Sequence, residues 1–267
     1  MALPVLRVLL TLAIGWTASM ADGADFEAYR EALIAGDPAR IAAMVAADGR
    51  RLPVDSDGVT VLHKALHIYS ENRLAIVQQL IAAGSDVNAR MMDGRTPLHF
   101  ASGFGVPGAV PLLLKAGAFV DARDEDGNTP LFVAGAEIAV LLIAAGADAR
   151  ATNHEGNVPL HRNQQAALLA PGVNVRNKAG LTPLHYAALA GNEQAIEWLL
   201  SQGADPQART TAPAFYRAAA MSKMFGPGDA IPVGSRPLDL ARAQHKAARW
   251  NTNRYEPAVK LLSKATR

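Results

Sequence analysis

The stretch Gly94-Arg95-Thr96-Pro97-Leu98-His99 decides the fold. Thr before Pro places a capping hydroxyl at the start of a helix. Pro fits the first turn, where its missing N–H has no intrahelical role. Leu98 and Ala101 supply a narrow apolar stripe, so a neighbouring helix can pack closely. Further on, Leu113-Leu114-Lys115-Ala116-Gly117 reads as the apolar face of a second helix. Its closing Gly can adopt the left-handed conformation that stops a helix. Two short antiparallel helices cannot bury their faces alone, so such a pair must stack on copies of itself.

The copies are present. Gly180-Leu181-Thr182-Pro183-Leu184-His185 repeats the signature intact. Weaker versions begin at Gly58, Gly127 and Gly156, and a degenerate one is Gly234-Ser235-Arg236-Pro237-Leu238-Asp239. Apolar runs close on Gly84, Gly117, Gly146, Gly172 and Gly203. From opening to closing Gly the five repeats measure 26, 23, 19, 16 and 23 residues. The first carries three extra residues around Ser70-Glu71-Asn72. The third and fourth are shorter by nearly one and two helical turns, a change that keeps the apolar face in phase. They are expected to stay in the stack with clipped helices, leaving a notch around residues 133–140 and 161–168, where a partner could dock.

The paired signatures resemble the ankyrin repeat, a unit of about 33 residues with a Thr-Pro-Leu-His-x-Ala core. The resemblance covers roughly residues 25–264. It implies an all-α solenoid of stacked helix-turn-helix units with hairpin loops and atypical capping repeats. The predicted organisation is a single domain over 22–267: N-terminal cap 25–56, repeats from about 57, 93, 126, 155 and 179, insertion 210–233, and C-terminal cap 234–267. In the N-terminal cap, helices are expected over Phe26–Ile34 and Pro38–Val45, joined at Gly36-Asp37-Pro38. In the C-terminal cap they are expected at Pro237–Ala241 and Pro257–Leu262. The insertion reads as a helix over Ala214–Phe225 and a loop through Gly226-Pro227-Gly228.

The N-terminus suggests export. Arg7 precedes the apolar run Val8–Trp16, and small residues lead to Ala21. That is a secretory signal pattern, with residues 1–21 removed, or a cut after Ala24. The run is short for a bilayer span, which needs about 20 residues. The expected location is the periplasm or the exterior. With no cysteine, disulfides, thiolate nucleophiles and Cys-bound zinc are excluded.

Catalytic and metal-binding patterns fail on inspection. His63, His99, His161 and His185 recur at repeat spacing, which points to loop-tying hydrogen bonds. His63 and His67 share a helix face, but no third ligand joins them. Asp124-Glu125-Asp126-Gly127-Asn128 has its Gly and its twelfth position wrong for a calcium loop. Met221 and Met224, near Phe215, Tyr216 and Phe225, read as helix packing rather than a copper site. No nucleophile elbow, phosphate loop or dinucleotide fingerprint is present. The reading is therefore a non-enzyme without cofactor, metal or nucleic acid, acting as a monomer.

The resemblance implies binding of another protein through hairpin tips and the concave face of the first helices. Tip positions carried over are Arg90, Met91, Met92 and Arg95, then Arg123, Asp124 and Asn128. They continue with Asn153, His154 and Asn157, then Asn177, Lys178 and Leu181. Facing positions are Phe100, Val133 and Tyr186. These positions are read as free of the fold and available to encode a partner. The alternative is an electrostatic tether. Residues 209–267 hold 11 Lys and Arg against 3 Asp and Glu, whereas residues 1–208 hold 15 against 21. Arg242, Lys246, Arg249, Arg254, Lys260 and Lys264 would then meet an anionic membrane or acidic surface.

Overall fold

The computed structural model describes residues 26–47, 52–163, 172–213, 231–247 and 254–266. The expected signal segment, the 214–225 helix with its Met and aromatic residues, and Arg249 lie outside them. Every regular element described is a helix, and the chain divides into two compact units. One unit runs to Glu125 and takes in Ala144–Gly146. The other holds Asp126–Ile143 and Ala147 onward.

The first unit opens with helix α1 over residues 26–35 and α2, Pro38–Ala47. Asp37 caps α2, accepting from the Arg40 N–H at 3.0 Å. Both helices match their expected places. Repeat one is α3 (Val61–His67) and α4 (Arg73–Ala82), and repeat two is α5 (Pro97–Gly103) and α6 (Ala109–Lys115). First helices pack on first helices and second on second, α3 on α5 and α4 on α6. Leu62, Leu66, Ile76, Leu80, Leu98 and Leu113 are fully buried between them. The three extra residues of repeat one end in Asn72, whose amide donates to the Gly36 carbonyl at 2.9 Å, tying the repeat to its cap.

In the second unit, repeat three has a 3-10 turn (Pro130–Phe132) where its first helix should be, followed by α7 (Ala136–Ala144). Repeat four keeps a four-residue α8 (Pro159–Arg162). Then come α9 (Pro183–Ala190) with α10 (Glu193–Ser201), and the cap pair α11 (Pro237–Ala247) and α12 (Glu256–Ala265). α9 packs on α11 and α10 on α12. Leu184, Ala187, Ile196, Leu199, Leu238, Ala241, Ala258 and Leu262 form their common core. The deletion in repeat three falls on its first helix, and the first helix of repeat four is also short. The expected clipping of residues 136–140 is corrected, because α7 keeps nine residues. Its Ile138, Ala139 and Leu142 are buried, and losing a turn there would open the core. Residues 164–168 of the expected notch lie outside the described residues.

Helix ends follow the sequence rules. At Gly203, φ is +85°. The Gly203 N–H reaches the Leu200 carbonyl at 3.0 Å and the Ala204 N–H reaches that of Leu199 at 2.9 Å. This is the paired C-terminal bonding that needs a left-handed residue. At the N-termini of α3, α5 and α9, the Thr hydroxyl meets the His three residues later, at 2.9, 3.0 and 2.9 Å. Repeat three has Phe132 in place of that His. Thr129 is fully buried and its hydroxyl has no partner. Replacing a bonded hydroxyl should cost about 1–2 kcal/mol, and replacing an orphaned one should cost little or even stabilise. Thr182→Val is therefore expected to lower the midpoint of urea unfolding clearly, and Thr129→Val to leave it unchanged or raise it. Equal losses in the two variants would contradict this account.

Candidate functional site

Successive hairpin tips are joined backbone to backbone. In the first unit the Met92 N–H donates to the Asp57 carbonyl at 2.8 Å, and the Glu125 N–H to that of Asp93 at 2.9 Å. In the second, His154 donates to Asp126 at 2.9 Å, Lys178 to Glu155 at 3.1 Å and Thr211 to Ala179 at 2.9 Å. Close approach needs a residue without a side chain at each turn. Gly94 has φ +77°, and a Cβ there would stand 2.8 Å from the Glu125 nitrogen. Both the conformation and the space exclude other residues.

Beneath the tips lies a line of imidazoles. The N–H of the capping residue donates to Nδ1 of His63, His99, His161 and His185 at 3.1–3.2 Å. Nδ1 is therefore an acceptor, and the proton sits on Nε2. His161 Nε2 then donates to the Leu181 carbonyl at 3.0 Å, and His185 Nε2 to that of Ser235 at 3.1 Å, each in the next repeat. For His63, Nε2 is buried without a hydrogen-bond partner. Val158 caps α8 and has no hydroxyl, so there only the backbone-to-ring bond survives.

The structure divides the expected binding positions. Arg90, Met92, Arg95, Arg123, His154 and Lys178 are exposed, as is Val133. Asp124 and Met91 are half-buried. Asn128, Asn153, Asn157, Leu181, Phe100 and Tyr186 are buried, which corrects the expectation that tip and facing positions stand free of the fold. The reason is a polar ladder. Asn153 donates to Asn128 Oδ1 at 2.9 Å, and Asn177 donates to Asn157 Oδ1 at 2.8 Å. The Tyr186 hydroxyl donates to Asn157 Oδ1 at 3.0 Å. Asn153 Oδ1 also takes the N–H groups of Glu155 and Asn157, both at 3.0 Å. Such buried amides must be paired, and here they are paired across repeats.

Two groups escaped sequence reasoning. Asn88 and Asn174 clamp the far ends of the repeats: their amides donate to the Gly117 and Gly203 carbonyls at 2.9 and 3.0 Å. Their side-chain oxygens take the N–H of Phe119 at 2.9 Å and of Asp205 at 2.7 Å. The signal was their shared place six residues before the next opening Gly, Gly94 and Gly180. The second group lies on the first helices of unit one. Phe104 and His67 are exposed and stack at 4.5 Å between centroids. Phe104 lies 5.3 Å from Phe100, and the Arg95 guanidinium lies 5.2 Å above the Phe100 ring. The helical spacing of Phe100 and Phe104, and of His63 and His67, was the legible clue.

Helix pairs stacked through bonded hairpin tips define a helical repeat protein. The family pattern described as "Ankyrin repeats (3 copies)" matches residues 62–153 and 135–210, more than half of the chain. The chain belongs to the ankyrin-repeat family, whose members typically bind other proteins. No curated protein matches it in sequence.

The imidazole line makes the fold acid-sensitive. Burial drives the pKa of His63, His161 and His185 from the ordinary 6.5 down to about 4. Between those values the unfolded chain binds protons that the folded chain does not, so stability falls as pH drops. Each ring contributes on the order of 1–3 kcal/mol, present above pH 6.5 and lost by about pH 4. Urea midpoints are expected to decline steadily from pH 7 to 4.5. A flat profile over that window would show that these rings are not held neutral.

Proposed function

We propose that this chain is a non-catalytic protein-binding module acting outside the cytoplasm, and that its principal contact surface lies on the first unit. The observation that carries this is the continuous array Arg95, Phe100, Phe104 and His67, running from a hairpin tip along the faces of α5 and α3. Met92, 69% exposed, stands on the same tip as Arg95. Aromatic side chains, Met and Arg are the types enriched at binding interfaces. Phe104 and Met92 do nothing for the core where they stand. In the second unit the tip surface is narrower, because the asparagines are consumed by the ladder and leave His154 and Lys178 outward. The Lys178 ammonium is itself bonded to the His154 carbonyl at 2.9 Å.

The location rests on Arg7, the apolar run Val8–Trp16 and the small residues before Ala21. Among the described residues no helix is long and apolar enough to cross a membrane. A second reading, attachment to an anionic surface, draws on Arg242, Lys246 and Lys264, all exposed on the C-terminal pair. Lys260 is less available, since it pairs with Glu256 at 2.8 Å.

Capture from cell-envelope extract with residues 22–267, followed by cross-linking mass spectrometry, tests both readings. The expected result is one protein cross-linked around residues 90–104, with its affinity reduced about tenfold or more by Phe104→Ala. Recovery of only lipid or polyanions, cross-linked through the C-terminal lysines and lost in high salt, transfers the function to the tether. Mass analysis of the exported chain should find Asp22, or Asp25, as its first residue; an intact Met1 would remove the cleaved-signal reading.

A further inference from the structure

The second unit buries one of its first helices on both sides. Seven of the eight residues of α9, Pro183 through Leu189, are buried. Leu184, Ala187 and Ala188 lie in the common core, where α9 packs on α10 and α11. Tyr186 and Leu189 lie in a separate apolar cluster with Leu181, Leu240 of α11, and Ile231. A helix that is apolar all round must have something over its second face. In the first unit that face stays open: the positions matching Tyr186 and Leu189 are Lys64 and His67 in α3, and His67 is exposed. In α5 they are Phe100 and Gly103, and Gly103 is exposed.

Ile231 is the member of the cluster that comes from outside the repeat signatures. It belongs to the C-terminal end of the segment inserted after the fifth repeat, and that end is anchored. The Thr210 N–H donates to the Ser235 carbonyl at 3.0 Å, and the Gly234 N–H to the Thr210 carbonyl at 2.9 Å. The Thr210 hydroxyl donates to the Pro232 carbonyl at 2.8 Å. Pro232 and Val233 stay exposed, so among the described residues of the segment one side chain enters the cluster. The core that α9 and α11 share with α10 and α12 contains no residue of this segment.

We propose that Ile231–Val233 is a resident strap, anchored at Gly234 and Ser235, that occupies the first-helix face of α9 and α11 and holds it closed to protein partners until displaced. This rests on the reading that first-helix faces are the docking faces of the chain. The occupant is the chain itself, held by one apolar side chain and a hydrogen-bonded neck. What it covers, Tyr186, Leu189 and Leu240, is an apolar surface of the kind that anchors a partner. A partner using it would need an aliphatic side chain to replace Ile231. The face of α3 and α5 has no such cover among the described residues and is open from the start.

The test is Ile231→Ser in the full chain, read by anilinonaphthalene sulfonate fluorescence, circular dichroism and amide exchange. A displaceable strap predicts a several-fold rise in dye fluorescence, native helical content, and faster exchange confined to Thr210, Gly234 and the start of α11. Adding Leu189→Ser should abolish the dye gain. Unchanged fluorescence in a folded Ile231→Ser chain would overturn the proposal, because the face would then be closed without Ile231. Joint loss of protection across α9–α12 would overturn it as well, because Ile231 would then be core rather than strap. Neither result depends on partner capture through Phe104, so failure of one reading is separable from failure of the other.

Discussion

The stacking of the second unit depends on a neutral imidazole held between two backbone groups of different repeats. The ring takes an N–H from its own helix cap and gives Nε2–H to the next repeat, as His161 does to Leu181 and His185 to Ser235. Only one tautomer satisfies both ends, and protonation would set a donor against a donor. The same ring braces the capping Thr, so one residue type ends a hairpin, starts a helix and sets the distance between repeats. Where it is missing, at Phe132, the Thr129 hydroxyl is orphaned and the helix shrinks to a single 3-10 turn. Order along the stack is therefore local: each repeat is held by what its neighbour supplies.

That constraint decides which side chains are left for recognition. The backbone of the hairpin tips carries the stacking in this chain. This chain spends several tip side chains on stacking as well. Asn128, Asn153, Asn157 and the half-buried Asn177 form an amide ladder in the second unit, with Tyr186 completing it. In the first unit the place of Asn153 and Asn177 is taken by the half-buried Met91 and that of Asn128 and Asn157 by the exposed Arg95, with Arg90 and Met92 exposed beside them. The aromatic array on α3 and α5 extends that surface.

The two units thus treat the same helical face in opposite ways. In the first it carries exposed Phe104 and His67. In the second it carries Tyr186, Leu189 and Leu240 under Ile231, beside a repeat whose first helix is only four residues long. The basic C-terminal residues do not join this pattern. Arg236 pairs with Asp239 at 3.0 Å, Lys260 pairs with Glu256, Arg209 donates to the Gly234 carbonyl at 2.9 Å, Arg254 lies over the Tyr255 ring, and Arg242, Lys246 and Lys264 are exposed, as suits a terminal repeat.

The sequence by itself determined the repeat, its period and its helix ends. Thr-Pro-Leu-His and the closing Gly act within one or two turns, so their physics is local and readable from Gly94 to Gly117 without coordinates. It also marked the shortened repeats, because deletions of nearly whole turns leave the apolar phase intact. What it could not assign was which helix of repeat three lost the turn, since Pro130-Leu131-Phe132 still carries the start signal of a full helix. Nor could it separate a tip Asn that is buried from one that is free. Asn157 at a hairpin tip looks like any solvated loop residue until Asn177 and Tyr186 arrive from 20 and 29 residues away. The same holds for Ile231, whose place on α9 is fixed by chain closure at Thr210 and Ser235. Only tertiary packing decided these points, because each depends on a contact between residues whose separation in sequence carries no period.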